Sequence, residues 1–210
     1  MKQLSPELLK ELESFAKGGI SEDEYNTKKK FIESLKKIYG EECVKGNASN
    51  FRELNYIVVQ KHNSKVVLYF RYSKEKGFYG LDKGWISHAI AELEKWTEKN
   101  YFHVYFMLDL VDEIRYFAIP VFFLKNRESG ISVTDHKGKV SPQYKTIIVE
   151  HKGKYCIRFK DNDYEDVSKF EKDSEHLFDA DLIREHDLEK KKFFENKESE
   201  AGLLRRLIKP

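Results

Sequence analysis

The chain is poor in the residues that staple or punctuate a fold. Its 210 residues include two cysteines, four prolines, two tryptophans and two methionines. Cys43 and Cys156 are far apart and in no C-x-x-C pattern, which argues for buried thiols and against a disulfide framework or a zinc site. No apolar run approaches the ~20 residues that a membrane-spanning helix needs. The start, Met1-Lys2-Gln3-Leu4-Ser5-Pro6, lacks the apolar stretch of a signal peptide. A cytoplasmic protein with no membrane partner is expected. There is no Walker loop, no G-x-G-x-x-G and no G-x-S-x-G, so nucleotide hydrolysis and serine chemistry have no support. The seven histidines form no H-E-x-x-H or H-x-H and no pairing with cysteine at ligand spacing, so no metal site is expected from them.

Net charge is scarce too, at +2, but its distribution is uneven. From Lys125 to Lys160 nine basic residues face three acidic ones, a local excess of +6. From Arg52 to Lys83 the excess is +4, and after Lys160 acids dominate as far as Glu175. A basic middle followed by an acidic stretch fits a polyanion-binding flank. An ordinary solvated Lys/Glu surface gives the same pattern.

What the chain does have is apolar and aromatic content, 40% and 14%, enough for a real core. The first forty residues read as two helices. Ser5-Pro6 is a cap followed by proline at the first helical position, Gly18-Gly19 stops that helix, and Ser21-Glu22-Asp23-Glu24 is a capping box for a second that ends at Gly40. Strands follow at Tyr56 to Val59 and Val66 to Phe70 around the turn His62-Asn63-Ser64, then at Phe78 to Leu81 beyond a polar loop. Ile86, Ala89, Ile90, Leu93 and Trp96 predict a helix over about 85–98. The run from Phe102 to Leu110 and Ile114 to Ile119 predicts a hairpin apolar enough to be central in its sheet. Strands are expected again at Ile131 to Val133, Tyr144 to Val149 and Tyr155 to Phe159, with short helices and a charged tail beyond. The fold class is α+β: a twisted, mostly antiparallel sheet or open β-barrel with flanking helices at both ends. The expected parts are an N-terminal helical hairpin (1–50), a β-rich recognition core (51–172) and a C-terminal helical, charged tail (173–210).

The sharpest internal signal is a repeat. Asp135-His136-Lys137-Gly138-Lys139 recurs as Glu150-His151-Lys152-Gly153-Lys154. Both copies read as tight glycine turns, expected to project from neighbouring strands of one sheet. Candidate phosphate contacts are therefore Lys137, Lys139, Lys152 and Lys154, with Lys74 and Lys76. Asn63, Ser64 and Lys65 in the 62–65 turn, and Arg71 and Ser73 in the 71–76 segment, are candidate base readers. Trp85, or Tyr79, is placed to stack on an extruded base, although core packing is the simpler role for Tyr79.

The same words allow an enzyme. A Mg²⁺-dependent nuclease of the restriction type holds its metal with an Asp at one strand end and an E-x-K on the next strand. Here Asp135, Glu150 and Lys152, after Ile147-Ile148-Val149, supply those groups. A second acidic group, Asp109, Asp112 and Glu113, falls at a predicted hairpin turn, where acids are common anyway.

The order of parts carries a resemblance. Leu68-Tyr69-Phe70-Arg71 leads to Phe78-Tyr79-Gly80-Leu81, then a helix, then a hairpin ending Phe117-Ala118-Ile119-Pro120, then Ile131-Ser132-Val133 and Tyr155-Cys156-Ile157-Arg158-Phe159. Over about residues 51–172 this resembles the N-terminal DNA-recognition domains of McrBC- and LlaJI-type restriction systems, and the β-barrel-like recognition domains of some type II restriction enzymes. The resemblance implies a non-catalytic, cofactor-free module that recognises double-stranded DNA, site-specifically or by modification, and delivers a separate motor or nuclease. The metal-dependent endonuclease and a protein-interaction scaffold using the helical ends are the alternatives.

Overall fold

The structure, a computed structural model, describes residues 22–46, 56–75, 77–82, 86–87, 90–91, 99–110, 112–134 and 143–207. The first predicted helix, Ser21, Lys76, Trp85, Asp135, Lys137 and Lys139 lie outside the described residues.

Helix α1 (Glu22–Tyr39) opens with Glu22, Asp23 and Glu24 and closes with Lys36 and Lys37, charges that suit the two ends of its dipole. Thr27, Phe31 and Leu35, with Lys28 and Ile32, recur at helical spacing and are its buried stripe. Gly40 ends it at φ 95°, where glycine has no Cβ penalty, and its N–H still reaches the Lys36 carbonyl at 3.0 Å.

The strands are β1 (Val44–Gly46), β2 (Tyr56–Lys61), β3 (Ser64–Lys74), β4 (Phe78–Asp82), β5 (Lys99–Asp109), β6 (Ile114–Pro120), β7 (Ser132–Thr134), β8 (Gln143–His151), β9 (Lys154–Arg158) and β10 (Tyr164–Asp166). They divide between two sheets, where one was expected. The first has the order β1-β2-β3-β5-β6, and β3 and β5 are its one parallel pair. The second has the order β10-β9-β8-β4, with β7 also paired to β8. All its pairings are antiparallel and neither sheet closes, so the class is α+β without a barrel.

The division begins at Gly77. Its φ is 59°, and a Cβ there would sit 2.0 Å from the Ile148 carbonyl oxygen. Only glycine lets the chain turn out of β3 this close to β8 and start β4 in the second sheet.

Alternation along β3 and β5 gives the first sheet two apolar faces. On one, Phe31 of α1 meets Phe70, Tyr105 and Tyr116 at ring separations of 5.4, 4.6 and 5.4 Å. The other packs on the second sheet, where Tyr79 meets Phe106 at 4.7 Å and Tyr155 meets Phe117 at 5.2 Å. β5 is interior, but β6 is an edge, contrary to the expectation that both are central. Its outer side is covered by the following segment: Phe117 bridges Glu171, and the Lys172 N–H donates to the Tyr116 carbonyl.

Helix α2 (Val121–Asn126) follows β6, and α3 (Ala180–Leu207) closes the described chain as one helix of 28 residues, longer than the pieces expected from the sequence. Leu35 of α1 and Leu177 and Leu182 near the other end belong to one core with the strands. Among the described residues no helix is long and apolar enough to cross a membrane.

Candidate nucleic-acid interface

The predicted DNA-facing residues that the structure describes are spread over both ends of β3 and the β8–β9 turn. The turn His62-Asn63 is exposed at the start of β3, and Lys74 is at its other end. Ten steps of ~3.3 Å put about 33 Å between them. Arg71 and Ser73 are in the strand, not in a loop, because β3 continues to Lys74. Ser73 is buried, and its Oγ accepts the Phe78 N–H at 3.1 Å. The Arg71 guanidinium stacks on Tyr69 at 4.5 Å. Neither is presented to a base edge. Tyr79 is also buried, and its hydroxyl donates to the Met107 carbonyl, so its role is packing between sheets.

Thr134 pairs with Gln143 at the start of β8, whereas His151 pairs with Lys154 across the turn at its end. These two pairs are eight strand steps apart along β8, about 27 Å. The first copy of the repeat itself lies outside the described residues. Thr134, the last described residue before Asp135, pairs with Gln143, seven strand steps or about 23 Å from Glu150 along β8. Lys152 is in the turn at φ 53°, past the strand on which an E-x-K lysine belongs.

The second copy is a two-residue turn, Lys152-Gly153, with Gly153 at φ 74°. Its His151 ring stacks on Tyr164 at 4.1 Å. Lys154 pairs with Asp166 at 2.8 Å, and that hydrogen bond raises the Lys154 pKa while Asp166 is held down to about 2. Lys74 is likewise paired with Asp23 at 2.8 Å. Asp109 accepts from Tyr72, and Glu113 pairs with Arg115, so these acids of the β5–β6 turn serve the fold.

A different set of cations does converge. Lys125 at the end of α2, Lys160 after β9 and Lys197 of α3 line one concavity of about 670 Å³ with Ser129, Asn196 and Phe193. Ile131 and the exposed Val133 of the segment entering β7 complete its apolar side. The Lys160 ammonium donates to the Ser129 carbonyl at 3.0 Å, which fixes its stem at the rim. Glu128 is the one acid of the lining among the described residues. It is paired with Lys125, and burial together with its carboxylate holds the Tyr144 phenol well above the ordinary pKa. Three lysines against one glutamate leave the lining at +2.

A second concavity runs along β6. Its Arg115, Lys172 and His176 are each matched: Arg115 to Glu171 at 2.8 Å, His176 to Asp173 at 2.6 Å and Lys172 to Asp179 at 3.1 Å.

Lys125 and Lys160 bound the +6 stretch visible in the sequence, but Lys197 and Phe193 belong to a helix that no motif links to them.

A cluster behind the concavity holds its walls together. Arg127, just after α2, donates from Nε and Nη2 to Glu165 of β10 and from Nη1 and Nη2 to Glu189 of α3. Its guanidinium is 3.7 Å from the Phe123 ring centre. Burial opposes the Arg127 charge, yet the two carboxylates outweigh it and raise the pKa. The Asn126 amide also donates to Glu189, at 2.7 Å. The second shared element is a histidine pair. His186 of α3 meets His103 of β5 at 5.5 Å, both fully buried, and its Nε2 accepts the Phe102 N–H at 3.2 Å.

No protein family, curated protein or solved structure matches this chain.

Proposed function

We propose that the protein is a non-catalytic DNA-binding module that grips the phosphate backbone at the Lys125–Lys160–Lys197 concavity. The observation that carries this reading is the convergence of three cations from α2, the segment after β9 and α3 on one hollow where, among the described residues, the single acid is already engaged by Lys125. Phosphates entering there displace condensed counterions, so affinity falls steeply with salt. Backbone contacts of this kind position the partner and carry no sequence information; base reading is a separate task. The order of parts that resembles restriction-system recognition domains supports a cytoplasmic role, site-specific or modification-dependent, in which a separate motor or nuclease acts.

The test is binding of duplex DNA, plain and methylated, across a salt series, with Lys160→Glu combined with Lys197→Glu. We expect log K to fall linearly with log salt, and the slope to shrink by about 0.9 for each phosphate that the variant no longer neutralises. Replacing Lys152 and Lys154 instead should have the smaller effect, because Lys154 is already matched by Asp166. Absence of binding at every salt concentration, or a double variant that binds like the parent, overturns the proposal.

A further inference from the structure

The concavity is shaped for something smaller than a double helix. Its volume of about 670 Å³ equals a cube about 9 Å on edge. A B-form duplex, broad enough to carry a ~12 Å major groove, is too wide to be enclosed by it and lies across the rim. A single nucleotide fits, since sites for ligands of that size occupy ~300–1,000 Å³.

The lining is divided as such a ligand requires. Lys160 and Lys197 offer positive charge, and Ser129 and Asn196 offer hydrogen-bonding groups. Phe193 presents a half-buried ring, next to the apolar Ile131 and the exposed Val133. That ring is backed by Phe122 at 5.5 Å and Phe194 at 5.3 Å, which hold it as a platform. Charge alone binds any polyanion. An aromatic face set beside it is what an unstacked base uses, whatever its sequence.

We infer that this hollow is a subsite for one unpaired nucleotide, with its phosphate on Lys160 and Lys197 and its base against Phe193. The inference rests on the DNA-binding reading and narrows its ligand to unpaired or extruded nucleotides in DNA.

The experiment compares three fluorescein-labelled probes at low salt: a fully paired duplex, the same duplex with one bulged 2-aminopurine, and a single strand carrying 2-aminopurine. The bulged and single-stranded probes should bind more tightly than the paired one, and stacking should quench the 2-aminopurine. Phe193→Leu keeps the apolar contact with Phe122 but removes the aromatic face. It should lower the ratio of unpaired to paired affinity by roughly five- to 150-fold, the range for removing one base stack, and abolish the quench. An unchanged melting temperature certifies that the variant folds; if it does not fold, the quench and the probe preference of the parent protein decide. Equal affinity for paired and unpaired probes, or no quench, overturns the subsite while leaving backbone binding intact. Failure of every probe to bind removes both.

Discussion

Replacing Arg127 with Ala should destabilise the protein by about 3 kcal/mol. The substitution deletes five hydrogen bonds: two to Glu165, two to Glu189 and one to the Phe123 carbonyl. Their contributions are unequal. The Glu165 side chain is 39% exposed, so water takes over much of that pairing, and its share is at most ~1 kcal/mol. The Glu189 side chain is 2% exposed and cannot be rescued by solvent. Removing one partner of a buried pair costs about 3–5 kcal/mol, because the other charge stays buried. Glu189 keeps Asn126 at 2.7 Å and Lys192 at 3.1 Å, which places the cost at the low end. In urea unfolding, with a slope of roughly 2–3 kcal/mol per M, the midpoint should fall by about 1 M. Glu165→Gln should cost less than ~1 kcal/mol. Arg127→Met combined with Glu189→Leu should recover most of the deficit, since neither charge then remains buried. An Arg127→Ala midpoint indistinguishable from the parent, or a double variant worse than the single, refutes the reasoning.

His103 and His186 are held neutral by burial, with pKa values below 6.5 in the fold. Below pH 6.5 the unfolded chain binds protons that the folded chain refuses, so stability is complete above that pH and falls as pH drops, by up to ~2.7 kcal/mol per unit for the pair. His103→Leu sacrifices no hydrogen bond, because neither ring nitrogen has a partner. It should remove about half of that slope in urea midpoints measured between pH 6.5 and 5, and an unchanged slope argues against the assignment. Gly77→Ala should cost more than ~2 kcal/mol, through left-handed backbone and collision with the Ile148 carbonyl. Gly153→Ala meets open space and should cost only ~1–2 kcal/mol, so equal melting temperatures for the two would contradict the steric account.

The α+β class and the β2–β3 and β5–β6 hairpins are legible in the sequence because each is a local pattern of alternation, turn chemistry or periodicity. The 71–76 segment reads as a loop because Lys74 and Glu75 are polar; the alternation of buried Ser73 and exposed Lys74 is that of a strand end. The place of the second H-K-G-K turn is hidden for a different reason. Turn residues identify a turn but not which strands it joins, and that follows only from the pairing of His151 with Lys154. The candidate site is half legible. Charge counting finds the stretch bounded by Lys125 and Lys160, but α3 reaches the same hollow through tertiary packing alone. The unbroken length of α3 has a sequence signal, since no proline occurs between Pro142 and Pro210.

The parallel alignment of β3 with β5 governs how the molecule must assemble. Every matched position along these two strands is 35 residues apart, from Ser64 with Lys99 to Lys74 with Asp109. The intervening chain visits the opposite layer through β4 before it returns. Closing a loop of that span costs about 3 kcal/mol of chain entropy before any contact rewards it. Early local hairpins therefore cannot stand in for the central seam, and the two layers zip together late, in one cooperative step, with the slow kinetics of high contact order.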